Sequence, residues 1–192
     1  MKKGYMVLGV IIAIIVILGV MLMSSYNNFV TLDENVDQSY AQIENQLQRR
    51  LDLIPNLVNT VKGYASHEKE VIGEISDARA RLAGANTVDE EATANAELTG
   101  ALSRLLVVVE NYPNLKADQQ FTRLMDELSG TENRISVARK DYNEQVAVYN
   151  KKVKQFPGAL IAGMTGFDEK EYFTADPKAA EAPEVDFGGN GE

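Results

Sequence analysis

The chain has 192 residues, a formal net charge of -9 and no cysteine, enough for a membrane anchor plus one domain with a modest core. The lack of cysteine excludes disulfides, thiolate metal sites, thiol nucleophiles and a lipidated cysteine. The acid excess, with no extended basic stripe to offset it, repels phosphate backbones and argues against nucleic-acid binding. Much of it lies between Asp168 and Glu192, where eight acidic residues face only Lys170 and Lys178.

From the N-terminus, Tyr5 to Met23 is an uncharged run of nineteen residues dominated by Val, Ile, Leu and Met. At about 1.5 Å per residue it spans roughly 28 Å, close to the hydrocarbon thickness of a bilayer. A cleaved signal peptide is the competing reading, because Lys2 and Lys3 make a basic start and Ser24 and Ser25 are small. The run exceeds the usual signal-peptide core, and Met21, Leu22 and Met23 put bulky residues near any cleavage point, which favours an uncleaved anchor over residues 1–25. Gly9 and Ala13 make a small-xxx-small pair that also reads as ordinary membrane filler. Lys2 and Lys3 precede the run and no Lys or Arg follows until Arg49. The positive-inside rule then places the N-terminus inside and the remaining domain outside the cytoplasmic membrane, a single-pass topology.

Residues 26–175 read as one helical domain. Phe29, Leu32, Val36, Tyr40, Ile43, Leu47, Leu51, Ile54, Val58, Val61 and Ala65 recur every three or four residues, and Ile72, Ile75 and Leu82 resume the stripe. Pro55 removes a backbone hydrogen bond, but the stripe keeps phase across it, so a kink is expected rather than a split. Gly84 suits a left-handed cap, and Thr87 to Glu90 reads as a capping box. A second helix puts Ala92, Ala96, Thr99, Leu102, Leu106 and Val109 on one face until Tyr112-Pro113-Asn114 breaks it. A third stripe runs through Phe121, Leu124, Leu128, Ile135, Ala138, Tyr142, Val146, Tyr149 and Val153, passing Gly130 at a cost of about 1 kcal/mol relative to Ala.

Lys151, Lys152 and Lys154 complement the dipole of that helix before Phe156-Pro157-Gly158 ends it. Leu160 to Met164 either closes one end of the bundle, with Phe167, Tyr172 and Phe173 over the same patch, or contacts lipid or a partner. Residues 176–192, rich in Ala, Pro, Glu and Gly, read as a disordered acidic tail. The fold expected is all-α: an N-terminal transmembrane helix followed by an antiparallel bundle of three to four long helices.

These blocks together make a recognisable pattern. Tyr26 to Val30 (YNNFV), Gln46 to Lys62 (QLQRRLDLIPNLVNTVK), Tyr64 to Glu68 (YASHE), Glu110 to Asn143 and Phe156 to Phe173 (FPGALIAGMTGFDEKEYF) resemble, in the same order, the signature blocks of the LemA family of bacterial membrane proteins. The resemblance implies an N-terminal membrane helix and an antiparallel bundle. It implies no reaction, and members are often encoded near a membrane metalloprotease.

Catalysis is argued against by the residues themselves. His67 is the only histidine, so a Ser-His-Asp relay must use it, and neighbouring Ser66 points elsewhere on a helix. His67-Glu68 opens like a zincin helix, but Val71 stands where the second ligand is needed. Glu70 with Glu74, and Asp33 with Asp37, share helix faces off the apolar stripe, where solvated carboxylates do no acid-base work. Gly158, Gly163 and Gly166 follow no strand and precede no Lys-Ser or Lys-Thr pair, so they cradle no phosphate.

No catalytic, cofactor-binding or metal-binding residues are therefore assigned, and no small-molecule substrate is identified. The expected partners are the bilayer, through the N-terminal helix, and proteins or a second copy through helix faces. The leading function is a non-catalytic membrane-anchored scaffold that organises membrane or protein assemblies. An accessory or adaptor of a membrane protease or other hydrolase is the alternative, and an unrecognised hydrolase the third.

Overall fold

A computed structural model describes residues 2–65 and 67–174, with side chains from Leu8 onward. The expected tail at 176–192 and Ser66 lie outside the described residues. Six helices follow in order: α1 (Lys2–Tyr64), α2 (Lys69–Gly84), α3 (Val88–Val109), α4 (Pro113–Lys116), α5 (Gln119–Lys154) and α6 (Gly158–Thr165). The described residues contain no strand. The all-α class holds, with one long N-terminal apolar helix and four long helices in all.

Residues cluster into two units, one of Met1–Gln46 with Asn133–Tyr172 and one of Leu47–Glu132 with the described residues from Phe173 on. In the first, α1 and α5 run antiparallel, because Gln46 pairs with Arg134, Tyr40 with Tyr142 and Phe29 with Tyr149 in opposite chain order. Phe29, Val36, Ile43, Ile135, Tyr142, Val146 and Tyr149 fill the seam, all but inaccessible to solvent. These are positions of the expected stripes, whose three-to-four spacing keeps each side chain on the shared face.

In the second unit, α2 and α3 form an antiparallel hairpin in which Glu74 pairs with Arg104 and Arg81 with Glu97. The second part of α1 and the first turns of α5 join them. Leu47, Leu51, Ile54, Leu57, Val58 and Val61 supply the core from α1, and Ile72, Ile75, Ala78 and Leu82 supply it from α2. Helix α1 is not split at Pro55, which lies inside it on an exposed position. The ring therefore faces water, and the carbonyl that loses its helical donor, that of Leu51, accepts instead from Arg79 Nε at 3.0 Å.

Three local expectations are corrected. The stripe breaks between Tyr64 and Lys69, so what reads as one pattern is two helices, with Ala65 still buried as the chain turns. Gly84 stays helical, since among the described residues only Gly166 has positive φ (78°). The cap beyond it is extended Ala85, whose amide reaches the Leu82 carbonyl. In α3 the buried face is Leu98, Ala101, Leu102, Leu105 and Val109, while Leu106 is 48% exposed and Ala96 is exposed. Two apolar stripes overlap in this helix, and the one carrying Asn95 turns inward.

The helix ends follow known chemistry. Thr87 caps α3 by accepting from the Glu90 amide at 3.2 Å, and the Glu90 carboxylate reaches back to the Asn86 amide at 2.8 Å. That is a capping box displaced by one residue on its return arm. Pro113 opens α4, where its lack of an N–H costs nothing. Asp118 opens α5 by accepting from the Phe121 amide at 2.8 Å. That amide, and then the Tyr64 hydroxyl, hold the Asp118 carboxyl below its ordinary value.

The inward face of α3 is testable by a paired substitution. Leu105→Asp buries an unpaired charge and is expected to cost about 3 kcal/mol or more, whereas Leu106→Asp at the neighbouring exposed position should stay within about 0.5 kcal/mol. Thermal melting of the two variants checks the register, and equal melting temperatures would refute it.

Candidate functional site

Polar or apolar groups gather at three places. The first is the apolar N-terminal part of α1. The stretch from Leu8 has an 18-residue window of mean hydropathy 2.8, none of it buried within the protein. Leu8 to Met23 is apolar all round, with side chains such as Ile15 (62% exposed) and Met23 (70% exposed) bare. A helix with no dry side of its own needs an apolar surround, and its length fits a bilayer. Gly9 lies in this stretch with open space where a side chain would stand.

The second lies in the unit containing α2 and α3. Arg50 is only 2% exposed, although it stands on the buried stripe of α1 between Leu47 and Ile54. Its Nη1 donates to Asn95 Oδ1 at 2.5 Å and to the Glu132 carboxylate, and its Nη2 donates to Thr99 Oγ1 at 3.0 Å. Burial lowers the Arg50 pKa and the adjacent Glu132 charge raises it in opposition. An arginine stays protonated under either influence. The guanidinium thereby ties α1, α3 and α5 together by charge-assisted bonds that fix their rotation.

The third is a strap in the unit containing the anchor, where Phe167 to Tyr172 runs outside any helix. Buried Asn150 donates to the Lys170 carbonyl at 2.8 Å and accepts from its amide at 2.9 Å, so one side chain satisfies both backbone groups. The Tyr142 hydroxyl donates to the Glu171 carbonyl at 2.8 Å, and Phe167 stacks on Phe29 with ring centroids 5.1 Å apart. Lys170 Nζ lies 2.8 Å from both Asp33 and Asp37. Burial alone would lower the Lys170 pKa, but hydrogen bonds to the two carboxylates outweigh it and raise the pKa well above the ordinary value.

This accounts for the residues weighed as chemistry. Asp33 and Asp37 are bridged by Lys170 rather than simply solvated. Glu74 pairs with Arg104 at 2.6 Å, and Glu70 is exposed. His67 is exposed in the turn between α1 and α2, not on a helix as expected, and Glu68 beside it accepts from the Tyr112 hydroxyl at 2.7 Å. Gly158 is required by packing, since a Cβ there would lie 2.2 Å from the Lys152 carbonyl oxygen. Gly166 supplies the left-handed cap of α6. Among the described residues no three His, Cys, Asp or Glu side chains gather as a metal site would need.

Sequence reasoning passed over Arg50, Asn95, Glu132, Asn150 and Lys170. For Arg50 a signal existed: it follows Leu47 by three residues and precedes Ile54 by four, which puts it on the buried face. The partners of Lys170 are more than 130 residues away in the chain and leave no periodic trace.

The LemA family profile matches residues 39–187 of this chain, beginning beyond the apolar span. The chain is similar to magnetosome protein MamQ 2 of Paramagnetospirillum magneticum, at 29% identity over 182 residues, covering 81% of this chain and 67% of the relative. Magnetosome protein MamQ of Magnetospirillum gryphiswaldense is 28% identical with the same coverage. Protein LemA of Metamycoplasma hominis is 24% identical over 129 residues, covering 65% of this chain and 58% of that protein.

The strap gives a prediction with a defined pH dependence. Lys170→Met leaves Asp33 and Asp37 without their cation and should cost about 1–2 kcal/mol, discounted because Asp37 is largely exposed. A lysine raised on folding stabilises fully below its unfolded pKa of about 10.4 and loses this only as pH rises through the folded value. The melting-temperature gap to the parent should therefore stay constant from about pH 6 to 9, below both values. Thermal scans across that range check it, and a gap that closes there would show that another group carries the effect.

Proposed function

This chain belongs to the LemA family, and on that premise we propose that it is a non-catalytic, membrane-anchored scaffold working through the faces of its long helices. The observation that carries the reading is the continuity of α1. The helix leaves the apolar span and enters the pairing with α5 without interruption, so the span is joined to folded structure by helix rather than by a flexible linker. A tether of this kind holds a surface at a set height and angle, which suits assembly better than capture of a diffusing substrate. Arg50 with Glu132, and Lys170 with Asp33 and Asp37, are engaged in holding the helices and the strap in place. The similarity to proteins named for the magnetosome supports a role in a cellular assembly.

Between α1 and α5 in the anchor-bearing unit lies an open groove of about 710 Å³, lined by side chains such as Asn35, Gln38, Gln42, Asn133 and Gln145. The amides offer both donors and acceptors to a partner helix, and Arg134, Asp141 and Val137 beside them add a charge of each sign and an apolar contact. The scaffold reading expects a protein partner or a second copy there. The topology that follows from Lys2 and Lys3 is an inside N-terminus and an outside helical domain at the cytoplasmic membrane.

Capture of the full chain from gently solubilised membranes tests the function. A predominantly self-associated product is expected. Stoichiometric recovery of a hydrolase would replace the scaffold with an accessory role. Topology is tested separately in this cysteine-free chain by Val107→Cys, at a position 71% exposed on α3. A thiol reagent that cannot cross the membrane should label it in intact spheroplasts, and labelling only after lysis would reverse the orientation.

A further inference from the structure

From Gln155 to Phe167 no residue is charged, and this stretch holds the turn after α5 and the whole of α6. Gly158, Ile161 and Ala162 face inward and are buried. The opposite side presents Phe156 at 86% exposure, Leu160 at 57% and Met164 at 72%. Three large apolar side chains aligned on one exposed edge are more than the scattered exposure usual for a soluble surface.

Their position supplies the occupant. Phe156, Pro157 and Leu160 share a groove of about 820 Å³ with Leu18, Met21 and Leu22 of α1. Met164 and Ile161 share another with Leu22 and Met23. Those α1 residues are the last turns of the apolar span that ends at Met23. At about 1.5 Å per residue, Leu18 lies roughly 7–8 Å inside that end, so side chains beside it are at the depth of lipid tails. The groups on the water side of this edge change character accordingly. Lys152 lines the same groove as Phe156 and Leu160, and Lys151 shares the last turn of α5 with Lys154, which also pairs with Glu169 at 2.7 Å. Long cationic side chains next to an apolar edge suit the headgroup layer.

We propose that the turn at Phe156-Pro157 and helix α6 form a second membrane contact, a foot that inserts Phe156, Leu160 and Met164 into the leaflet at the Met23 end of the transmembrane span while the lysines ending α5 meet lipid headgroups. The foot rests on the reading of Leu8 to Met23 as a span, and it turns a single-helix anchor into a two-point attachment. The tight fit of Gly158 against Lys152 and Phe29 holds the foot against the helix pair, so its apolar edge cannot fold inward to escape water.

The chain contains no tryptophan, so single substitutions report one site each. Full-length Phe156→Trp, Met164→Trp, Ile15→Trp and Val107→Trp are reconstituted in vesicles of phosphatidylcholine and phosphatidylglycerol, with and without phosphatidylcholine brominated along its acyl chains. Ile15 reports the span, and Val107, 71% exposed on α3, reports water. The expected result is strong quenching of Ile15→Trp by deep bromines, and of Phe156→Trp and Met164→Trp by shallow ones. Both foot probes should have blue-shifted emission and lose most of the iodide quenching seen with Val107→Trp. Iodide quenching of the foot probes equal to that of Val107→Trp, with Ile15→Trp still quenched by lipid, would overturn the foot and leave the span intact. Loss of lipid quenching at Ile15→Trp would overturn both.

Discussion

Helix α1 has to satisfy two solvents with one uninterrupted backbone, and much of the molecule follows from how it does so. Up to Met23 its side chains are apolar in every direction, as lipid requires. At Phe29 the requirement changes, because from there one face must be dry against protein and the other wet. Ser24, Ser25, Asn27 and Asn28 occupy the change and the two surfaces share one backbone without a break. The first fully buried position beyond the span, Phe29, meets Tyr149 at 6.3 Å and Phe167 at 5.1 Å between ring centroids. The protein core thus begins within two turns of the end of the span, on three aromatic rings drawn from α1, α5 and the strap.

Apolar stripes alone would leave these helices free to rotate or slide by a turn, since Leu, Ile and Val pack in many registers. The buried polar groups remove that freedom. Arg50 reaches Asn95, Thr99 and Glu132 only if α1, α3 and α5 present the right faces together. Asn150 closes two hydrogen bonds with one residue of the strap and can do so at one register alone. Such groups add little net stability relative to good apolar packing, but a misaligned alternative would strand a buried charge at several kcal/mol. Uniqueness of structure is therefore their main contribution.

The fold was largely legible because period and burial coincide: nearly every position of the α1 and α5 stripes is buried or half-buried. Helix α3 shows where the same logic is ambiguous. Its run of Ala and Leu supports two faces about a residue apart, and the choice falls to Asn95, whose partner Arg50 is 45 residues earlier. Periodicity weighs apolar residues and so cannot register an inward asparagine. The break at Ala65 escaped for a different reason, since Ala65 remains buried and the stripe resumes at Ile72, so the pattern continues while the backbone turns. The strap was visible only as the guess that Phe167, Tyr172 and Phe173 cover a patch. Its polar anchors depend on contacts between distant parts of the chain, which no local window contains.

A single transmembrane helix fixes the depth of a domain but leaves it free to swivel about the helix axis and to tilt, and tilt is set by neighbouring contacts rather than by span length. A second apolar contact beside the span removes the swivel, because Phe156, Leu160 and Met164 lie on one side of α1 only. The two devices depend on each other. The unbroken helix carries the orientation from the membrane into the α1 and α5 pair, and the foot supplies an orientation worth carrying. With either absent, the groove lined by Asn35, Gln38 and Gln42 would face all azimuths equally and offer a partner no preferred approach. With both present, copies of the chain in one membrane present the same face at the same height. On the scaffold proposed above, that geometry would let weak contacts at the groove add up across an array, since the membrane has already removed most of the translational and rotational freedom that association would otherwise cost.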